Sequence, residues 1–205
     1  MTQIIFPSHA TGDSKETLSG RGGTTTPTDT LREEHRVILR ALDVLESAAD
    51  RLAAGGALPD GWWSELIGWL RAFADQSHHA KEERFLFPAM RDAGLPEGGP
   101  IEVMLEEHGH GRFLIHEMQS GAPLTRVARA RDYIRELREH IAKENGVLFP
   151  LADTVLDPQA QRAVTREFEA AAAEQGGVGS IEFAEAAIDG LAAALGEGVQ
   201  RPVRA

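Results

Sequence analysis

Two stretches of the chain, beginning at His78 and His140, share an unusual spacing of histidine and glutamate. They align without a gap, and both read H-x-A-K-E-x-x-x-L-F-P. In each stretch the histidine precedes a glutamate by four positions, which pairs His78 with Glu82 and His140 with Glu144. On a helix, residues i and i+4 lie on one face with their Cβ atoms roughly 6 Å apart. Each pair can therefore offer one nitrogen and one oxygen ligand to a shared metal ion.

A second repeated motif lies upstream of each pair. Glu-Glu-His triplets end at His35 and at His108, so the chain contains both motifs twice and in the same order. A repeat of this kind is typical of a duplicated helical unit. The two copies together supply four imidazoles and two carboxylates, namely His35, His78, Glu82, His108, His140 and Glu144.

These six side chains predict a centre for two metal ions. A carboxylate can bridge two ions about 3.5–4 Å apart, which suits six ligands better than a single ion does. Ligation by histidine and carboxylate without sulfur favours iron, with manganese and zinc as alternatives. A lone histidine on an apolar face is more often a hydrogen-bonded core residue than a ligand. Burying the whole set without a cation, however, would leave polar groups and charges uncompensated at several kcal/mol each.

The doublets His78-His79 and Glu82-Glu83 leave two overlapping registers in the first copy. The second copy selects the first residue of each doublet, because its histidine and glutamate align with those. We therefore expect His79 and Glu83 to lie behind the ligands or at the surface. Two of the other histidines, His9 and His110, are predicted to be unrelated to the site. The third, His116, is a weaker candidate for a ligand.

Four amphipathic helices must carry these residues. Their apolar periods predict helices from Thr30 to about residue 54, over about 60–87, from about 101 to 120, and over about 125–149. The spacing of Thr30 and Glu33 matches a capping box, and we expect Pro88 to kink or end the second helix. Four helices with short connections favour an antiparallel bundle.

The bundle is predicted to occupy residues 29–155, between flanking segments of different character. Residues 1–28 have the composition of a disordered polar tail, and 198–205 form a second tail. The sequence of residues 156–197 predicts two further helices, which start at Asp157-Pro158 and at Ser180. Their apolar faces should pack on the bundle or on a second copy, which makes a homodimer possible.

Composition excludes several classes of protein. The 205 residues have a formal net charge of -11, which disfavours a nucleic-acid partner. The absence of cysteine removes disulfides, thiolate nucleophiles and sulfur-ligated metals. No run of about 18 apolar residues is present, and the first residues lack a secretory pattern, so we expect a cytoplasmic protein with no membrane partner.

The repeated motifs resemble those of the hemerythrin-like (HHE cation-binding) family over about residues 29–155. The resemblance implies an all-α fold, an up-down antiparallel four-helix bundle, with two additional C-terminal helices similar to extensions in bacterial members. It also implies a non-haem di-iron centre with an oxo or hydroxo bridge. In that centre four histidines would be ligands and two glutamates would bridge, namely His35, His78, His108 and His140 with Glu82 and Glu144.

One position differs from the pattern of oxygen-carrying members of the family, which place a further histidine one turn after the third-helix histidine. That position is Arg112 in this chain, and an arginine cannot take the place of that ligand. A centre with fewer histidines leaves more coordination open to water or an exogenous ligand. We expect Arg112 to supply a positive charge, or a hydrogen bond to Glu82, Glu144 or the bound ligand.

These observations favour a binding protein that takes up O₂ or NO for sensing, storage or protection. The alternatives are a di-iron enzyme that consumes peroxide or repairs damaged iron centres, and a store for iron or another cation. Many repair members carry an N-terminal cysteine-bearing domain, and this sequence has no cysteine. No residue can be assigned a catalytic role from the sequence.

Overall fold

A computed structural model describes residues 25–174 and 179–197, and that part of the chain is helical without a strand. Six helices follow one another, α1 (Pro27–Ala53), α2 (62–92), α3 (Pro100–Ser120), α4 (123–155), α5 (Pro158–Glu174) and α6 (Ile181–Glu197). None of these described helices is long and apolar enough to cross a lipid bilayer. Three predicted features lie outside the described residues, namely positions 1–24 of the polar tail, His9 within it, and the second tail at 198–205.

Helix α1 begins one turn earlier than predicted. The Thr26 hydroxyl accepts from the Asp29 amide, and the Asp29 carboxylate accepts from the Thr26 amide, both at 3.1 Å. This capping box replaces the one expected at Thr30, because Pro27 fits the first helical position, where no donor is needed. Residues 27 and 28, assigned to the tail, therefore belong to the first turn of the bundle.

Helices α2 and α4 continue past their prolines instead of ending there. A short π-helical turn precedes each proline, Glu82–Leu86 in α2 and Glu144–Leu148 in α4. The amide after each turn donates five residues back, to the carbonyl of Glu82 or Glu144. This wider turn relieves the clash between a proline ring and the carbonyl four residues before it. Helix α2 also contains a longer π-helical segment, Leu70–His79, which precedes its π-helical turn.

Buried apolar side chains form two clusters, and the predicted ligands lie between them along each helix. The larger cluster joins α1, the first half of α2, α3, α4 and α6. The smaller one joins the starts of α1 and α3 and the ends of α2 and α4 to α5. The indoles of Trp62 and Trp69 donate to the carbonyls of Leu191 and Ala184 in α6. The C-terminal pair thus packs on its own bundle, which was one of the two placements expected.

Replacing Ile188 with alanine should destabilise the fold by about 2–5 kcal/mol, because the isoleucine is fully buried where α6 meets the bundle. Urea unfolding followed by circular dichroism measures the change. The matched control is Leu124→Ala, at a leucine that is 85% exposed, where the change should stay within about 0.5 kcal/mol. A cost for Ile188→Ala as small as that of the control would contradict this packing.

Candidate metal centre

All six predicted ligands meet in one buried centre between the four bundle helices. They form two overlapping groups in which the ligand atoms lie within 4.8 Å of one another. The groups are His35, His78, Glu82 and Glu144, and Glu82, His108, His140 and Glu144. Both glutamates belong to both groups, and each group has its own two histidines. The chain therefore has a buried histidine and glutamate cluster capable of binding metal.

The distances between these atoms fit a shared cation. The Nε2 atoms of His35 and His140 lie 3.1 and 3.2 Å from one carboxylate oxygen of Glu144. When two ligand atoms each lie about 2.1 Å from one ion and their bonds to it form a right angle, the two atoms are roughly 3 Å apart. Both oxygens of Glu82 and of Glu144, and Nε2 of His35 and of His78, have no hydrogen-bond partner in the described part of the chain. Buried polar atoms without partners are rare, and a cation at each group would satisfy them.

Each of the four imidazoles is held in place by an oxygen that contacts its Nδ1 atom. The Nδ1 atom of every ring lies 2.8–3.0 Å from an amide or carboxylate oxygen, His35 with Asn145, His78 with Glu34, His108 with Glu83 and His140 with Glu107. An oxygen acceptor at Nδ1 favours the tautomer whose Nε2 lone pair is free, and it fixes the orientation of the ring. The four rings are thus prepared to bind metal through Nε2.

The duplication also extends to these outer partners. In each copy, the second glutamate of the Glu-Glu-His triplet accepts from both the histidine and the lysine of the H-x-A-K-E motif. The two trios are Glu34, His78 and Lys81, and Glu107, His140 and Lys143. The residue after each motif's glutamate instead contacts the other copy, since Asn145 binds His35 and Glu83 binds His108. The repeated lysine and glutamates therefore serve to position the histidines.

The electrostatics of the centre favour a cation. Burial and the negative charge of Glu144 hold the pKa of Glu82 well above its usual range. Burial lowers the pKa of His78, which keeps its ring neutral and its nitrogen free for a ligand bond. A positive ion between the carboxylates would remove their repulsion and allow both to ionise.

Arg112 contacts the centre less directly than predicted. Its guanidinium donates to Asp75 at 2.7 Å and to Glu83 at 2.6 Å, so the expected bond to Glu82 or Glu144 is wrong. The side chain is 42% exposed and lies outside the buried stripe of α3. Since Glu83 accepts from His108, the arginine acts on the centre through that carboxylate.

His79 is buried in the centre, not at the surface. Its ring stacks on that of His108 with the centroids 3.9 Å apart, and its nearest carboxylate oxygen, on Asp75, is 3.8 Å from Nδ1. Neither nitrogen has a hydrogen-bond partner among the described residues. With His108 and His140 it forms a third group of closely spaced potential ligands. The aligned residue of the second copy, Ile141, is apolar and also buried, so the repeat itself held a signal for this burial.

Tyr133 is a functional candidate that sequence reasoning missed. Its ring is buried, and its hydroxyl has no hydrogen-bond partner in the described part of the chain. Burial raises the pKa of this hydroxyl, which keeps it protonated. Nothing in the local sequence distinguishes this tyrosine from an ordinary core residue.

The two remaining described histidines lie outside the centre. His110 is exposed and pairs with Glu136 at 2.6 Å. His116, the weaker candidate, is also exposed on α3 and is not among the clustered ligands.

Known proteins share sequence similarity with this chain. The family model described as the hemerythrin HHE cation-binding domain matches residues 26–152. An uncharacterised protein of Mycobacterium tuberculosis is 28% identical over 183 residues, covering 81% of this chain and 71% of its own length. The iron-sulfur cluster repair protein YtfE of Salmonella newport and that of Salmonella agona are each 36% identical over 136 residues, which is 58% of this chain. The chain spans 60% of the length of these Salmonella proteins, and no solved structure gives a significant match.

Proposed function

This chain belongs to the hemerythrin HHE cation-binding domain family, and we propose that it is a di-iron protein that binds O₂ or NO reversibly. The two irons would occupy the two ligand groups, His35 and His78 in one, His108 and His140 in the other, with Glu82 and Glu144 bridging. The proposal includes an up-down antiparallel order for α1 to α4. A homodimer and a cytoplasmic location remain predictions.

The observation that carries this proposal is the set of buried carboxylate and imidazole atoms without hydrogen-bond partners among the described residues. When bound, two iron ions would supply a redox change and open positions for a small ligand. The protein's own residues hold the six ligand atoms in place through the oxygens behind the imidazoles. Apolar clusters pack on either side of the centre along the bundle.

The same geometry argues against a store of readily exchanged cations. Every one of the six ligands is buried, and each histidine is fixed by a partner on a different helix. An ion would have to leave side chains that these contacts hold in position. We therefore expect slow loss of metal to a mild chelator.

Repair of damaged iron centres is a second candidate, and similarity to the Salmonella repair proteins favours it. The chain has no cysteine, so it offers no thiolate to receive or donate iron. If repair is its role, iron would pass to or from the histidine and glutamate centre. Restored activity of an oxidised iron–sulfur enzyme on addition of the iron-loaded chain would support this candidate over reversible binding.

Elemental analysis of protein purified from iron-supplied medium should find about two irons per chain, as two-metal ligation expects. The absorbance of the reduced protein should then change on exposure to air and return under vacuum over repeated cycles. The double variant Glu82→Gln, Glu144→Gln is the control and should lack both the iron and the absorbance change. A folded wild-type chain without metal would contradict the proposal, and catalytic loss of peroxide without reversible absorbance would favour an enzyme.

A further inference from the structure

The two copies of the repeat differ beside the centre. His79 in the first copy aligns with Ile141 in the second, and Gly111 in the second copy aligns with Ile38 in the first. Both isoleucines are buried, so aliphatic side chains fill these positions in one half of the centre. The other half, around His108, has an imidazole and a glycine there instead.

A cavity of about 230 Å³ lies in that second half. Its inner wall is formed by His79, His108, Gly111, Leu114, Tyr133 and His140. The rim includes the exposed residues His110 and Glu139, so the cavity reaches the surface. A water molecule needs only about 10–15 Å³ by a comparable measure, so a ligand of two or three atoms has ample room. The stacking of each histidine on a phenylalanine is common to both halves, His35 on Phe149 and His108 on Phe87, so the cavity does not arise from that contact.

Two polar groups on the cavity wall lack a hydrogen bond within the described ranges 25–174 and 179–197. The Tyr133 hydroxyl and both nitrogens of His79 are buried without a hydrogen bond among the described residues. Such groups are costly in a folded protein and call for a bound partner or a functional reason. Phenylalanine and an aliphatic residue would fill the same space without that cost. A small ligand in the cavity would supply the missing partner for both.

We propose that this cavity is the binding site for the exogenous ligand, which lies beside His108 and His140 and accepts hydrogen bonds from Tyr133 and His79. The ligand would be a diatomic gas or a small anion of two or three atoms. This inference rests on the proposed function and adds that the duplicated centre is used asymmetrically. The half that contains His35 and His78 would serve to hold metal, and the glycine at position 111 would keep the other half open.

Azide added to the iron-loaded full chain tests this placement, with the dissociation constant measured from absorbance and iron measured by elemental analysis. Tyr133→Phe removes only the hydroxyl and should weaken azide binding about tenfold, the effect of one hydrogen bond to a charged group. Gly111→Leu places a side chain against the Tyr133 ring, which would lie 3.7 Å from the new Cβ, and should weaken binding at least as much. Iron content should equal that of the wild type in both variants.

Two controls match these changes. Gly109→Leu makes the same substitution on the same helix, where a Cβ meets no atom within 4 Å, and should leave azide affinity unchanged. Ile38→Val makes room at the equivalent position of the other half and should also have no effect. If Gly111→Leu fails to fold, Tyr133→Phe decides the question.

The outcomes separate this inference from the function on which it rests. Unchanged azide affinity in Tyr133→Phe, with two irons bound, would overturn the placement and leave the di-iron proposal standing. A larger effect from Ile38→Val than from Gly111→Leu would move the ligand to the opposite half and also overturn it. Wild-type protein that holds no iron would overturn both.

Discussion

Replacing His78 or His140 with alanine is expected to reduce the iron content from about two ions per chain to less than one. Each change removes one Nε2 ligand from a group of four and leaves a buried glutamate, Glu34, or a half-buried one, Glu107, without its imidazole partner. Since the two histidines occupy equivalent positions in the repeat, the two losses should be similar. Elemental analysis of the purified variants measures them.

His79→Ala is the matched control for this prediction. This change removes an adjacent, equally buried imidazole. The iron content should nevertheless stay near that of the wild type, because alignment of the two copies predicts that His78, and not His79, is a metal ligand. Circular dichroism should show that all three variants are folded. Equal iron loss from His78→Ala and His79→Ala would show that the ligand register is wrong.

Lys81→Met should destabilise the protein by about 3–5 kcal/mol, the usual cost of leaving a buried charge without its partner. The Lys81 side chain is 6% exposed and donates to Glu34, which is itself buried against His78. Methionine preserves most of the volume, so the loss reports the charge and not the packing. Urea unfolding of the wild type and the variant under the same metal loading measures the difference.

The duplication supplies the control for this change at Lys143. That lysine makes the equivalent contact with Glu107, but its side chain is 44% exposed. Ion pairs in contact with water contribute about 0–1 kcal/mol, so Lys143→Met should have a small effect. Equal destabilisation by the two variants would mean that burial does not govern the strength of these pairs.

The sequence alone was sufficient to predict the helices, the family and the six side chains that meet in the centre. Ligands spaced by four residues and the periods of amphipathic helices are local patterns, because a single helix determines which side chains share a face. The second copy favours His78 over His79 as the ligand for the same reason, and that choice stays a prediction. A resemblance carried by these motifs was confirmed by the match of the family model to residues 26–152.

Only the tertiary structure decided which residues stand behind the ligands and where a small molecule has room. Asn145 lies 110 residues from His35 in sequence, and Arg112 reaches Asp75 and Glu83 on a different helix, so no local spacing could pair them. The continuation of α2 and α4 past their prolines depends on π-helical turns, which no local spacing predicted. The cavity beside Tyr133 exists because side chains from three helices fail to fill one half of a duplicated centre. Such contacts arise from the packing of distant segments, which a sequence pattern within one helix does not describe.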